Sequence, residues 1–127
     1  SRLKADYAVA HYNFGSTLQR KGRISEAISH YKMAIKLNPD YAEAHYNLGI
    51  ALVAEGKNEE AISHYKMAIG LKPDYAEAYN NLGGALFHAK MTEEAIDYFK
   101  EAIRIRPGFA AAQKNLETVL LRSEELE

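Results

Sequence analysis

The chain has 127 residues, 47% of them hydrophobic and 26% charged, enough for one domain or one short repeat array and too apolar for a disordered chain. Sixteen basic against seventeen acidic residues leave a net charge of −1, without the basic excess of a duplex nucleic-acid binder. Cysteine is absent, which removes disulfides, thiolate metal sites and thiol nucleophiles, and no apolar run is long enough to cross a bilayer. The opening SRLKADYAVAHYNFG lacks the apolar stretch of a signal peptide. A cytoplasmic protein without nucleic-acid or membrane partners is therefore the expectation.

In chain order, residues 1–7, SRLKADY, align with IKLNPDY and IGLKPDY further on, keeping Leu3, Asp6 and Tyr7. They read as the tail of a preceding repeat, as though the chain were cut from a longer array. Three repeats follow, at 8–41, 42–75 and 76–109. Their mark is EAISHYKMAI, which occupies Glu26–Ile35, recurs letter for letter at Glu60–Ile69, and returns more loosely as EAIDYFKEAI from Glu94. Each step is 34 residues, a period that signals stacked supersecondary units. The verbatim copy points to duplication rather than chemistry.

Each repeat reads as two amphipathic helices. The first carries Ala10, Gly15 and Leu18, then Ala44, Leu48, Gly49 and Leu52, then Ala78, Leu82, Gly83 and Leu86, at spacings of three and four that form one helical stripe. The second carries Ala27, Ile28, Tyr31, Ala34 and Ile35 and their later counterparts. Gly22 and Gly56 sit in the turn between the two helices, with Lys90 in that place in the third repeat. Pro39, Pro73 and Pro107 stop the second helices. Asp40 with Glu43, and Asp74 with Glu77, look like capping boxes, and Asn58 and Thr92 look like N-caps. Glycine and alanine let helices approach, and large residues fill the space between pairs. The last segment, 110–127, starts like another first helix with Ala112, Leu116 and Leu120 in register. Glu117 stands where glycine is needed, so a solvating end helix is expected. The fold class is all-α.

The pattern resembles the tetratricopeptide repeat family, whose 34-residue unit runs W-x2-L-G-x2-Y, A-x3-F, P. Here it reads His11-x2-Phe14-Gly15-x2-Leu18, Ala27-x3-Tyr31, Pro39. The second copy is His45-x2-Leu48-Gly49-x2-Leu52, Ala61-x3-Tyr65, Pro73. The third is Tyr79-x2-Leu82-Gly83-x2-Leu86, Ala95-x3-Phe99, Pro107. Departures are swaps at apolar sites, such as histidine for the leading tryptophan. The resemblance implies a right-handed α-solenoid of three repeats plus a C-terminal capping helix.

Motifs for catalysis are missing. Gly83-Gly84 falls inside a predicted helix and lacks the lysine and hydroxyl residue of a phosphate loop. His11 and His45 are equivalent positions, as are His30 and His64. Equivalent positions on stacked helices lie roughly 8–10 Å apart, too far to share one ion, so the histidines read as packing or surface groups. The pairs Glu59-Glu60 and Glu93-Glu94 open helices, where they favour the dipole. We expect no enzyme activity, no metal and no cofactor.

Members of the family usually bind partners in a concave groove lined by the first helices. The resemblance places Tyr12, Asn13, Tyr46, Asn47, Ile50, Asn80, Asn81, Phe87 and Asn115 there. Asn13, Asn47, Asn81 and Asn115 share one position in successive first helices. An amide offers donors and an acceptor, so a row of them suits backbone recognition of a peptide whatever its side chains. The repeat array of O-linked N-acetylglucosamine transferases, which this repeat style resembles, uses such a ladder; the same asparagine is also common in the family at large. Other members hold a chain-terminal carboxylate with basic groove residues aided by asparagines. At those positions this chain has Tyr12, Ser16, Asn47, Glu77 and Asn81. Only Asn47 matches and Glu77 would repel a carboxylate, which speaks against an Hsp70/Hsp90 tail clamp. The function implied is a protein–protein interaction module binding an extended or helical peptide. The alternatives are a self-assembling scaffold stacking through its N-terminal face, as a homo-oligomer, and the substrate-recruiting arm of a larger enzyme such as a glycosyltransferase.

Overall fold

The computed structural model describes residues 1–125, and within them it contains helices and no strand. The helices are α1 (Arg2–Arg20), α2 (Ile24–Leu37), α3 (Ala42–Ala54), α4 (Asn58–Leu71), α5 (Ala76–His88), α6 (Thr92–Ile105) and α7 (Ala110–Glu125). They fall into two compact units, Ser1–Leu71 and Lys72 onward. In the first unit α1 packs on α2, α2 on α3 and α3 on α4. In the second α5 packs on α6 and α6 on α7.

One contact recurs in every helix pair of the three repeats. A methyl group added at Gly49 would lie 2.5 Å from the Tyr65 ring, and one at Gly83 would lie 2.6 Å from Phe99. The ring of the second helix therefore rests directly on the backbone of the first, at a distance no larger residue allows. Tyr31 over Gly15 repeats the arrangement. Around these rings the alanines Ala27, Ala34, Ala61, Ala68, Ala95 and Ala102 are fully buried, as are Leu48, Leu52, Leu82 and Leu86. The apolar stripes expected of both helix types thus meet each other.

Each hairpin turn is closed by the backbone. The Lys57 amide donates to the Leu52 carbonyl (2.8 Å) and the Gly56 amide to the Val53 carbonyl (2.9 Å), which is the Schellman pattern. Arg23 with Leu18, and Met91 with Leu86, repeat the longer bond at 2.9 Å. The motif needs a left-handed residue: Gly22 and Gly56 have φ of 79° and 78°, and Lys90 is forced to 66°.

These turns shift the caps from where the residues suggest. Met91, which closes one turn, is itself the N-cap of α6, without a side-chain bond. Asn58 and Thr92 lie one place inside their helices. Asp40 and Asp74 are not caps either. Tyr41 and Tyr75 hold those places without a side-chain capping bond, and the Asp40 amide instead donates to Asn38 Oδ1 (3.2 Å).

The two ends also differ in detail. Residues 2–7 are the exposed start of α1, because Ala5 stands where Pro39 and Pro73 break the later copies. Ser1 caps α1, its Oγ accepting from the Lys4 amide (3.2 Å). On α7, Glu117 is exposed, but the buried stripe is Ala112 and Val119, leaving Leu120 and Leu121 outside.

Candidate functional site

The residues expected to meet a ligand lie on α1 and α3 in the first unit and on α5 and α7 in the second. In the first unit Tyr12 is half-buried, its ring 4.9 Å from that of Tyr41 and 6.0 Å from that of Tyr31. Its hydroxyl accepts a hydrogen bond from Asn47 Nδ2 at 2.9 Å. Burial raises the Tyr12 pKa, the Glu43 carboxylate adds to this, and the Asn47 bond opposes it. Tyr12 is therefore a neutral hydroxyl at physiological pH. Tyr46 is half-buried with its ring 6.1 Å from Tyr65, and Ile50 is half-buried on the same helix. Asn13 is exposed, and its backbone carbonyl accepts from Thr17 Oγ1 (3.1 Å).

In the second unit Asn80 is buried, and its Oδ1 accepts from Asn115 Nδ2 at 3.0 Å. Asn81 is half-buried. Phe87 is half-buried beneath the Arg122 guanidinium, 5.6 Å from the ring centre, a cation–π arrangement.

The ladder asparagines thus have work of their own. Asn47 and Asn115 each spend an amide donor on a side chain 35 residues earlier, tying one first helix to another within its unit. The 34-residue alignment hides this link, because the bond joins neighbouring columns of the repeat. Gln19, another first-helix residue, accepts from the Tyr31 hydroxyl. Arg20 donates to Ser16 (3.2 Å) and Thr17 (3.3 Å).

Histidines come together in pairs that spacing by 34 does not reveal. His11 Nδ1 lies 3.0 Å from His30 Nδ1, and His45 Nδ1 lies 3.0 Å from His64 Nδ1. Each pair joins the two helices of one repeat, 19 residues apart in sequence, and a search across the hairpin turn would have found them. Among the described residues no three His, Asp or Glu side chains converge as metal ligands. Gly83 and Gly84 lie within α5. No helix among the described residues is long and apolar enough to cross a membrane.

Several solved structures share this fold. The first TPR of Spaghetti (RPAP3) bound to the HSP90 peptide SRMEEVD superposes with a TM-score of 0.92 at 22% identity, over 94% of this chain and 95% of that one. The Arabidopsis OM64 TPR domain gives 0.91 at 19% identity, covering 94% and 98%. The second TPR domain of human RPAP3, in complex with the HSP70 peptide SGPTIEEVD, gives 0.88 at 24% identity, covering 91% and 97%. No curated protein sequence matches this chain.

These neighbours correct the expectation against an Hsp70/Hsp90 tail clamp, since two of them carry HSP90 and HSP70 peptides on this same fold. The physical premise behind that expectation also changes. Glu77 is not a lone negative charge, because the Arg106 guanidinium is paired with its carboxylate. Sequence profiles agree with the fold: residues 15–54 and 49–89 match the TPR repeat, and residues 76–109 match the tetratricopeptide repeat. The chain belongs to the tetratricopeptide repeat family.

Proposed function

We propose that the chain is a non-catalytic protein–protein interaction module whose first helices hold a peptide segment. The observation that carries this reading is the lateral amide bonding of Asn47 to Tyr12 and of Asn115 to Asn80. It fixes polar groups beside half-buried aromatic rings before any ligand arrives, which lowers the ordering cost of binding. Amides and phenols at fixed positions suit a peptide backbone, and apolar anchors are offered by Tyr46 and Ile50 in the first unit and by Phe87 in the second. Arg122 over Phe87 adds a cation beside one anchor. An extended peptide with an acidic end, of the kind seen on the neighbours, fits that combination.

The test is a fluorescence-anisotropy titration with a peptide panel that includes acidic tails ending in EEVD, free or C-terminally amidated. Asn81→Ala should weaken binding by about fivefold, the loss of about 1 kcal/mol for one hydrogen bond. A backbone reader loses that factor across unrelated sequences. Equal affinity of variant and wild type, or no binding by any peptide, would remove the reading.

A second reading, self-association, is favoured by Phe14, which is 53% exposed although its counterpart Leu48 is fully buried. A sedimenting mass that does not change with concentration would count against it.

A further inference from the structure

His45 on α3 is almost fully buried, at 3% exposure, and His64 faces it from α4. Their rings stack with centroids 5.2 Å apart and planes 26° apart. His45 Nε2 lies 3.1 Å from the Pro39 carbonyl oxygen. A carbonyl can only accept, so Nε2 carries the proton. Neutral His45 therefore presents a bare Nδ1, and His64 must supply the N–H between the two Nδ1 atoms. His11 and His30 repeat the stacking with 5.3 Å between centroids. In the second unit the equivalent residues are Tyr79 and Tyr98, phenols, which have no proton to gain in mild acid.

Proton uptake by the pair has two steps. The first proton enters at His64 Nε2 and leaves the shared bond intact. A second has only His45 Nδ1 left, which would set two N–H donors 3.0 Å apart on two positively charged rings with centroids 5.2 Å apart. Burial is the largest influence on both rings and pushes both below the ordinary histidine range. The Pro39 carbonyl opposes this at His45. At His64, His45 and Lys32 on α2 act with burial, and Glu60 on α4 acts against it. No charged group of α1 bears on either ring.

We propose that the His45–His64 pair is an acid-release device built into the first unit: in mild acid the α3–α4 hairpin opens more readily, while the tyrosine-paired α5–α6 hairpin does not respond. The opened hairpin binds protons at ordinary histidine affinity, near pH 6.5, whereas the closed one resists them. Closure is therefore at full strength above that pH and weakens as pH falls below it. The device concerns hairpin closure and holds whether or not the face binds a peptide.

The experiment is hydrogen exchange of the whole chain by mass spectrometry at pH 7.5 and 5.5, corrected for intrinsic amide rates. The opening constant of α3–α4 should rise by about tenfold, one proton's worth over one pH unit. That of α5–α6 should change by less than about twofold, a smaller effect than linkage to one proton gives. The double variant H45Y/H64Y, which copies the third repeat, should lose the α3–α4 response. Equal loosening of both hairpins, no loosening of α3–α4, or a response that survives in the variant would overturn the proposal. If the variant fails to fold, ring-labelled NMR of the wild type decides. The pair should stop at one proton until the α3–α4 backbone signals change. Two independent titrations near the ordinary value, with backbone signals unmoved, would overturn it.

Discussion

The unit Ser1–Leu71 and the unit from Lys72 onward solve one packing problem with different side chains. Both seat an aromatic ring on a bare glycine backbone, Tyr65 on Gly49 in the first and Phe99 on Gly83 in the second. Away from that contact they diverge. The first unit puts histidine pairs between its helices and glycine in its turns. The second uses a tyrosine pair and a lysine held at φ 66°. The comparison separates what the helix pair demands from what it tolerates. The ring-on-glycine contact is common to both, while the neighbouring sites accept a histidine pair or a tyrosine pair.

The largest effect is expected where the units agree. Gly49→Ala and Gly83→Ala each push a methyl into a ring, and each should cost about 1–3 kcal/mol by the usual penalty of overpacking. Urea denaturation of the two variants tests the equivalence. A large loss for one and none for the other would show that the two cores are not the same structure. Next comes a place where the units differ. Lys90→Gly should stabilise the second unit by about 1 kcal/mol by relieving a left-handed residue, and Gly56→Lys should cost the first a similar amount; thermal melts read both. The smallest effect belongs to Arg106→Ala. It removes an ion pair whose side chains are 51% and 38% exposed, so the stability change should stay below about 0.5 kcal/mol in the same melts.

Much of this was legible in the sequence because the repeat states its own constraints three times. The helix pairs, the close approach at the glycines and the turn positions of Gly22, Gly56 and Lys90 follow from residue type and period alone, whereas the left-handed backbone at those turns is a finding of the structure. The caps depart from the capping chemistry of Asp40, Asn58 and Thr92 because the backbone of the preceding turn decides where each helix begins: Schellman bonds before α2, α4 and α6, and an extended Asn38 before α3. The extension of α1 rests on one substitution, Ala5 for proline, that a register alignment treats as minor. The histidine pairs and the bond from Asn47 to Tyr12 were hidden for a different reason. Alignment by period sets equivalent residues side by side, whereas contacts join non-equivalent ones, 19 or 35 positions apart. Glu77 taught the same lesson, since its partner Arg106 lies on the far side of a hairpin.

The 35-residue step of the amide bonds has a consequence for what each joint can vary. Tyr12 and Asn13 are adjacent on one helix, and so are Tyr46 and Asn47, yet each bond runs from the second member of one couple to the first member of another. Within each unit the joint has the same spacing but a different acceptor, a phenol at Tyr12 and an amide at Asn80. The spacing is the fixed part of the joint, and the acceptor is an interchangeable socket.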